Sequence, residues 1–283
     1  MVYALIGLVG FGVADYVIVF LSKSAGFLKG MLWNAIFMLF YLLCISFVSG
    51  RTTNLFEIST GEFVVGFIAG IITTLGGLSF FKGTQVGNLS VLSPIASSYS
   101  VIIILFSILF LSEILLPIQV GSVVLVVVGT ILVSINLKNF KNLKLVITDR
   151  SVPYGLLAMF FWGTSFILIG DMTVKIGWLE IIILTTISGV LFLTILTLYK
   201  EKSLSITNYS YKLAALLGIL SSMGYLGYSL GVNSTYASIV APVVAAAPVV
   251  TIFLALLFLK EKLAKEQKIG IFLLMLGLVI LAV

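Results

Sequence analysis

Few ionisable side chains fall inside the long apolar stretches of this 283-residue chain, and Asp15 is the deepest of them. It lies about thirteen residues into a segment that begins at Val2, roughly two-thirds of the way across a membrane at 1.5 Å per residue. A carboxylate without a partner at that depth costs several kcal/mol, so it needs a counter-charge or an aqueous cavity. Lys82 ends a later apolar segment that runs in the same direction, and we therefore expect an Asp15–Lys82 ion pair. Two readings remain open: a fold-holding ion pair or a Lys82 side chain that reaches toward the membrane surface, or an Asp15 that binds a ligand or exchanges protons.

Polar and aromatic side chains recur at helical spacing within the apolar segments. One segment carries Ser93, Ser97 and Ser100 on a single helical face, and another carries Ser221 and Tyr225 in the same way. Small hydroxyl residues also let membrane helices pack closely, so packing and cavity lining are both open readings. Aromatic rings with a polar group suit the wall of a ligand site. The candidate cavity residues are Asp15, Asn34, Lys82, Ser97, Tyr99, Trp162, Ser165, Tyr225, Tyr228 and Asn233.

Three prolines are candidates for helix breaks that take part in gating: Pro94, Pro242 and Pro248. Proline removes a backbone hydrogen bond and loosens a helix. In transporters, broken helices near the middle of the membrane often contact the substrate. Pro94 and Pro242 fall about one turn into their segments, where a first-turn proline is an ordinary alternative. Pro248 lies deeper and is the strongest candidate for a break.

Two glutamates close apolar runs in the same way, in LFLSEILLPIQ (109–119) and LFLKEKLAKEQ (257–267). Each of them, Glu113 and Glu261, is followed six residues later by a glutamine. A carboxylate at such a position can accept hydrogen bonds from the unpaired N–H groups that begin the next helix. We therefore expect a structural role for both glutamates.

The composition identifies the chain as a helical protein that crosses a membrane many times. It is 61% hydrophobic and 9% charged, whereas a soluble domain carries about 25% charged residues. Its apolar blocks have the roughly 17–25 residues that a helix needs to span the hydrocarbon core. With no histidine and one cysteine, Cys44, the chain cannot form the common zinc sites, a disulfide or a Cys–His catalytic pair. We expect no enzymatic activity, no cofactor and no metal.

The breaks between apolar blocks predict ten spans in two sets of five. A first five-helix repeat covers 1–136, a basic linker covers 137–151, and a second five-helix repeat covers 152–283. The predicted spans lie near 2–22, 31–49, 63–82, 89–111, 117–136, 152–170, 178–199, 212–232, 236–259 and 266–283.

The two sets are copies of one another. An offset of 148 residues aligns polar and turn-forming positions as well as apolar ones, including Gly83 with Gly231, Pro94 with Pro242 and Gly129 with Gly277. The openings also match, with YALIGLVGFG at 3–12 against YGLLAMFFWG at 154–163. A unit of five spans ends on the side opposite its start, so the second copy must be inverted. Inverted repeats are how many secondary transporters expose one central site to two sides in turn.

Particular stretches resemble a known family. FFKGTQVGNLSVLSPIASSYSVIIILFSILFLSEILLPIQVGSVVLVVVGTIL and SIVAPVVAAAPVVTIFLALLFLKEKLAKEQKIGIFLLMLGLVIL resemble the two copies of the repeat in the drug/metabolite transporter (DMT) superfamily, EamA type. WGTSF at 162–166 is similar to the motif that opens an EamA repeat, and GVADYVIVFLSKSAG matches it more loosely. The resemblance covers nearly the whole chain. It implies ten helices around a central cavity, built chiefly from the first, third, fourth, sixth, eighth and ninth.

The basic residues predict the orientation. Fourteen of the sixteen lie in loops on one side of the predicted bundle, which we call the basic end; the exceptions are Arg51 and Lys175. The positive-inside rule puts this end in the cytoplasm and both termini outside. Many relatives of the family, which carry a basic tail, indicate the opposite orientation.

These observations predict a secondary active transporter of the cell membrane. Its cargo would be a small organic solute, amino-acid-like or amphiphilic, moved outward by alternating access, with proton coupling as an option. A flippase for lipids or lipid-linked headgroups is the alternative, because polar stripes would also suit a headgroup. The expected partners are the solute and membrane lipid, not nucleic acid, and both a monomer and a homodimer remain open.

Overall fold

The computed structural model describes residues 1–87, 89–110, 114–134, 150–259 and 265–282, and nearly all of them are helical. Six of the helices in these ranges are long and apolar enough to cross a membrane. This confirms the all-helical, multi-span prediction, while the count of ten spans stays a prediction. The helices are α1 (Val2–Ala25), α2 (Phe27–Val48), α3 (Thr60–Val86), α4 (Leu89–Ser97), α5 (Tyr99–Phe110), α6 (Pro117–Ser134), α7 (Val152–Ile176), α8 (Glu180–Glu201), α9 (Asn208–Ser234), α10 (Ala237–Ala245), α11 (Pro248–Leu259) and α12 (Lys265–Ala282), with a 3₁₀ turn at Thr52–Phe56.

Local signals in the sequence set where several helices begin. Ser59 caps α3: its hydroxyl oxygen accepts from the Glu62 N–H at 3.4 Å, and its own N–H donates to the Glu62 carboxylate at 3.1 Å. Thr207 caps α9 by accepting from the Ser210 N–H at 3.2 Å. Such caps satisfy N–H groups that have no partner inside the helix.

Matching glycines join α1 to α2 and α7 to α8. Gly26 has φ of 77° and Gly177 has φ of 109°, a backbone region that side chains with a Cβ rarely adopt. The two glycines are 151 residues apart, which is also the offset between the matching openings of the two predicted repeats. The sharp turns bring the start of each following helix back beside the end of the preceding one.

Helices α1 and α9 run in opposite directions and approach closely through glycine. A methyl group added at Gly10 would lie 2.7 Å from the backbone nitrogen of Gly224, and one added at Gly227 would meet the backbone of Gly7. As the residue number rises along α1, it falls along α9. Small residues drive such packing in membranes because they let backbones make extensive van der Waals contact.

Helices α3 and α7 also approach each other closely through glycine, as α1 and α9 do. The Trp162 ring lies against Gly76, where an added methyl group would be 2.5 Å from the ring carbon Cδ1. Phe11 lies against Gly224 in the same way. The offset of 151 maps Phe11 onto Trp162, and the offset of 148 maps Gly76 onto Gly224.

Helices α6 and α12 pack against each other, also in opposite directions. A methyl group at Gly129 would lie 2.8 Å from the Leu274 Cβ, and one at Gly277 would lie 2.9 Å from Val126 Cγ2. The offset of 148 aligns Gly129 with Gly277 and Val126 with Leu274, so the two contacts join corresponding residues.

Two of the predicted spans are broken helices rather than single ones. Span four divides into α4 and α5 around Ser98, and span nine divides into α10 and α11 around Ala246 and Ala247. At the second break the Ala247 N–H bonds to the Val244 carbonyl at 3.1 Å, and the Val249 N–H bonds to the Ala246 carbonyl at 3.0 Å. These i→i−3 bonds tighten the chain, and Pro248, which has no N–H, then begins α11.

An ion pair joins α2 to α8 at each end of the two helices. At the basic end, Lys29 Nζ lies 3.2 Å from Glu201 Oε2. At the opposite end, which we call the amino end because α1 begins there, Arg51 binds both oxygens of Glu180 at 2.8 and 2.9 Å. Asn54 donates to the same carboxylate at 3.1 Å, and the Arg51 guanidinium lies 5.3 Å from the centroid of the Trp178 ring.

Two structural predictions fall on residues outside the described ranges. These are the roles of Glu113 and Glu261, and the course of the basic linker through residue 149. They stay predictions.

We predict that the two ion pairs differ in their contribution to stability. The Glu180 side chain is 1% exposed, so Arg51→Ala leaves a buried charge without its partner and should lower the free energy of unfolding by about 3–5 kcal/mol. Lys29→Ala is the matched control, because Lys29 and Glu201 are 18% and 33% exposed and their pair should contribute about 0–1 kcal/mol. Thermal unfolding in detergent measures both, and equal losses would contradict the assignment.

The glycine contacts give a second prediction. Gly10→Ala pushes a methyl group against the α9 backbone and should destabilise the protein by about 1–3 kcal/mol. Gly121→Ala in α6 meets nothing within 4 Å and should stabilise it by about 0.5–1 kcal/mol through helix propensity alone. The two melting temperatures should therefore move in opposite directions; a shift in the same direction would show that the α1–α9 approach is not tight.

Candidate functional site

A central cavity of about 130 Å³ lies where the two helix breaks meet. Ser97 and Tyr99 line it on either side of the break in span four, and Ala245 and Ala247 line it on either side of the break in span nine. The rest of the wall comes from α1, α2, α3, α7, α8 and α9. Most of these helices contribute residues near their middle, so the cavity lies at about half the height of the bundle.

Five rings in succession form one wall of the cavity, which we call the aromatic wall. Phe11 packs edge-on against Tyr225, with ring centroids 5.0 Å apart, and Tyr225 stacks on Phe166 at 5.7 Å. Phe166 stacks on Tyr99 at 5.1 Å, and Tyr99 meets Trp162 edge-on at 6.3 Å. All five rings line the cavity. The glycine contacts of α1 and α7 position the two rings at the ends of this wall.

Asp15 provides the charge of the cavity. It lies one helical turn beyond Phe11 on the same face of α1, and its Oδ2 accepts a hydrogen bond from the Ser93 hydroxyl at 3.2 Å. Among the lining residues that the structure describes, Asp15 is the only acid, and none is lysine or arginine. The Asp15 carboxyl group is therefore the one acidic or basic side chain that a guest would meet among the described lining residues.

Neutral polar groups complete the wall. Asn34 of α2 accepts from the Ser221 hydroxyl of α9 at 3.2 Å, which ties the two helices together across the cavity edge. The Thr73 hydroxyl donates to the Ala69 carbonyl at 2.8 Å, and the Thr186 hydroxyl donates to the Ile182 carbonyl at 2.6 Å. Because these donors are used within their own helices, the threonines present mainly acceptor oxygens to the cavity.

Among the residues that the structure describes, the indole N–H of Trp162 has no hydrogen-bond partner, although its nitrogen is buried. A buried donor without a partner costs free energy, and native proteins satisfy nearly all such groups. Trp162 lines the cavity. The indole nitrogen itself lies close to Gly76 of α3, so the ring, rather than the N–H group, is what the structure shows at the cavity.

The structure brings six of the ten sequence-predicted cavity residues to this one space: Asp15, Asn34, Ser97, Tyr99, Trp162 and Tyr225. The other four lie elsewhere. The predicted Asp15–Lys82 ion pair was wrong: Lys82 Nζ lies 5.0 Å from the centroid of the Phe27 ring, and Lys82 does not line the cavity. Lys82 lies in the last turns of α3, where its stem can reach the basic end of the bundle.

The remaining three predicted residues also lie outside the cavity lining. The Ser165 hydroxyl donates to the Trp162 carbonyl at 3.3 Å, and the buried Tyr228 hydroxyl donates to the Phe166 carbonyl at 2.9 Å. Both residues support the aromatic wall from behind. Asn233 is exposed near the end of α9. Of the prolines, Pro94 lies within α4, Pro242 lies buried within α10, and Pro248 begins α11 directly after the break.

Sequence reasoning missed several lining residues, including Phe11, Phe166, Met31 and the two threonine pairs at 73–74 and 185–186. Phenylalanine and methionine give no polar signal among so many apolar residues. The threonine pairs do give one, since each places two hydroxyls together near the middle of an apolar span. Nowhere in the described ranges do three or more His, Cys, Asp or Glu residues group as metal ligands would.

Comparison with known proteins agrees with this architecture. A crystal structure described only as that of a protein matches with a TM-score of 0.74 at 14% identity, covering 99% of this chain and 97% of that chain, which indicates the same fold. An uncharacterized protein of Methanocaldococcus jannaschii is 31% identical over 138 residues, which are 48% of this chain and 98% of the relative. The model of the EamA-like transporter family matches residues 1–135 and 150–283. The chain is therefore an integral, multi-pass membrane protein that belongs to the EamA-like transporter family.

Proposed function

We propose that this protein is a secondary active transporter that moves a small organic solute, amino-acid-like or amphiphilic, by alternating access through the central cavity. The observation that carries the proposal is the position of that cavity. It lies at the middle of the bundle, between two helix breaks, and an aromatic wall and a single carboxylate line it. Broken helices around a midplane site are typical of secondary transporters.

Reciprocal contacts support two inverted repeats, 1–136 and 152–283, joined by the 137–151 linker and together making ten spans. If α6 and α12 are equivalent helices and run in opposite directions, the operation that exchanges them is a two-fold rotation about an axis in the membrane plane. The paired contacts of Gly129 with Leu274 and of Gly277 with Val126 have this symmetry. So do the paired contacts of Phe11 with Gly224 and of Trp162 with Gly76. The relative from M. jannaschii, which corresponds to about half of this chain, fits a five-span unit.

The two ion pairs between α2 and α8 supply a mechanism for alternation. The offset of 151 maps Lys29 onto Glu180 but maps Arg51 onto Lys202, the residue after Glu201, so the two pairs correspond in position to within one residue. Each pair closes one end of the same two helices. Opening the cavity toward one side requires α2 and α8 to separate there, which breaks that pair and leaves the other intact.

Asp15 is the proposed coupling group for protons, because it is the one lining carboxylate in the described residues. One proton moving down about 100 mV releases roughly 2.3 kcal/mol, enough to drive a solute against a gradient of about fiftyfold. The basic end is proposed to face the cytoplasm, by the positive-inside rule, and the transport direction is proposed to be export.

We predict that neutralising either ion pair shifts the side from which the cavity is reached. The probe is a cysteine at Ser97 in a Cys44→Ser background, labelled with a membrane-impermeant thiol reagent applied to one side of sealed vesicles. Arg51→Gln with Glu180→Gln removes both charges without leaving one unpaired, and should raise labelling from the amino end. Lys29→Gln with Glu201→Gln is the matched variant and should raise labelling from the basic end.

The direction of these changes decides the outcome. If both double variants change labelling toward the same side, or neither changes it, the ion pairs do not act as opposed closures.

We also predict that Asp15→Asn abolishes proton-driven transport while the protein stays folded. The measurement is proton flux into proteoliposomes on addition of each member of a panel of amino acids, amines and amphiphilic metabolites. Asp171→Asn is the control, because Asp171 forms an exposed pair with Lys175 at the end of α7 and should transport like the wild type. Unchanged proton flux in Asp15→Asn would remove this residue from the coupling mechanism.

A further inference from the structure

We infer that the cavity selects solutes carrying one positive charge, that is, small organic amines in their ammonium form. The inference rests on the proposed function and narrows its substrate class. It separates an amine from an amino acid, which carries a carboxylate as well.

The charge inventory of the cavity is the first support. The Asp15 carboxylate accepts a hydrogen bond from Ser93, and no basic side chain of the described residues forms an ion pair with it. Its oxygens can accept further hydrogen bonds, which the N–H groups of an ammonium would supply. Coulomb interactions are much stronger away from bulk water. The Asp15 carboxylate therefore favours the binding of a cation and disfavours the binding of an anion in this cavity.

The aromatic wall is the second support. It starts at Phe11, one helical turn from Asp15, and continues through Tyr225, Phe166 and Tyr99 to Trp162. The faces of aromatic rings attract cations, most strongly for tryptophan and tyrosine and where water is excluded. Phe166 is stacked between Tyr225 and Tyr99, so a cation held near Asp15 would have a counter-charge and the remaining ring surfaces of this wall within the same cavity.

A carboxylate on the guest would find no comparable partner. No lysine or arginine is among the lining residues that are described. A helix start is the other common anion site. At the start of α11, however, the N–H groups of Val249, Val250 and Thr251 already donate to the carbonyls of Ala246 and Ala247, and Pro248 has none.

The volume of the cavity limits the size of the amine. An apolar protein cavity of about 150 Å³ holds benzene, and the cavity here is about 130 Å³. One ring or a short branched chain with an ammonium group therefore suits this conformation better than a larger polycyclic cation.

The test uses four compounds built on one ring: benzylamine (a cation), benzyl alcohol (neutral), benzoate (an anion) and phenylglycine (a zwitterion). Calorimetric titration of the purified full-length protein should give a dissociation constant for benzylamine about tenfold or more below those of the other three. Asp15→Asn should remove this preference, and its thermal unfolding, measured beside that of the wild type, shows whether the variant is folded.

Two variants of one aromatic residue test the wall separately. Tyr225→Phe keeps a ring face and should retain the preference for benzylamine, whereas Tyr225→Leu removes it and should reduce the preference severalfold. Equal effects of the two substitutions would contradict a role for the ring. Equal affinity for all four compounds, or tighter binding of benzoate or phenylglycine, would overturn the inference.

Counterflow of labelled solutes in proteoliposomes distinguishes a failure of the amine selectivity from a failure of the proposed transport function. Counterflow of an amino acid but not of an amine would agree with the proposed transport function and contradict the proposed selectivity for amines. Absence of counterflow for every compound that binds would remove the transporter itself.

Discussion

A backbone that breaks within a membrane must be surrounded by protein, because lipid offers no partners for its N–H and C=O groups. In this protein two helices break at equivalent positions, around Ser98 and around Ala246. Helices α1, α3, α7 and α9 enclose both breaks, and they approach closely because glycine replaces side chains at their contacts. Where the broken helices cannot fill the interior, a cavity remains, and its position at mid-height follows from the position of the breaks.

The same constraint determines which chemistry the cavity can carry. Burying the Asp15 carboxylate in the bundle costs free energy. The hydrogen bond from Ser93 and the space of the cavity beside the carboxylate reduce this cost. The aromatic wall lines that space, and the indole N–H of Trp162 is left without a partner. A carboxylate beside ring faces favours a cation, while the ends of α2 and α8 carry the charge pairs proposed to control access. Solute selection and gating are thus assigned to different helices: α1, α5, α7 and α9 carry the selecting side chains, and the ends of α2 and α8 carry the proposed gates.

The sequence predicted this architecture well where a residue type has one dominant structural use. Gly129 and Gly277, which the offset of 148 aligns, both lie at close helix contacts, and Pro248 begins a helix directly after a break, while the repeat and the gating role stay predictions. Asp15 was identified because a charge stands out in an apolar segment. Lys82 was misassigned because its long side chain can reach either the cavity or the end of the bundle, and residue spacing does not separate the two.

Other features lay beyond sequence reasoning. Phe11 and Phe166 are two of twenty-one phenylalanines, and only packing singles them out. Tyr228 shares a helical face with Tyr225, yet it bonds to the Phe166 carbonyl behind the wall. Arg51 and Glu180 are 129 positions apart in the sequence, so no local pattern indicates that they form a pair.

Distances between the ends of α2 and α8 test the central claim most directly, because alternating access requires the two ends to separate in turn. Spin labels can be placed at exposed positions beside these ends, in a Cys44→Ser background: Lys23 at the end of α1 with Lys202 directly after α8, and Thr53 in the turn after α2 with Val174 at the end of α7. Pulsed electron resonance in lipid nanodiscs should resolve two populations at each end. A change of pH or solute should lengthen one distance while it shortens the other. A single fixed distance at both ends under all conditions would contradict the account.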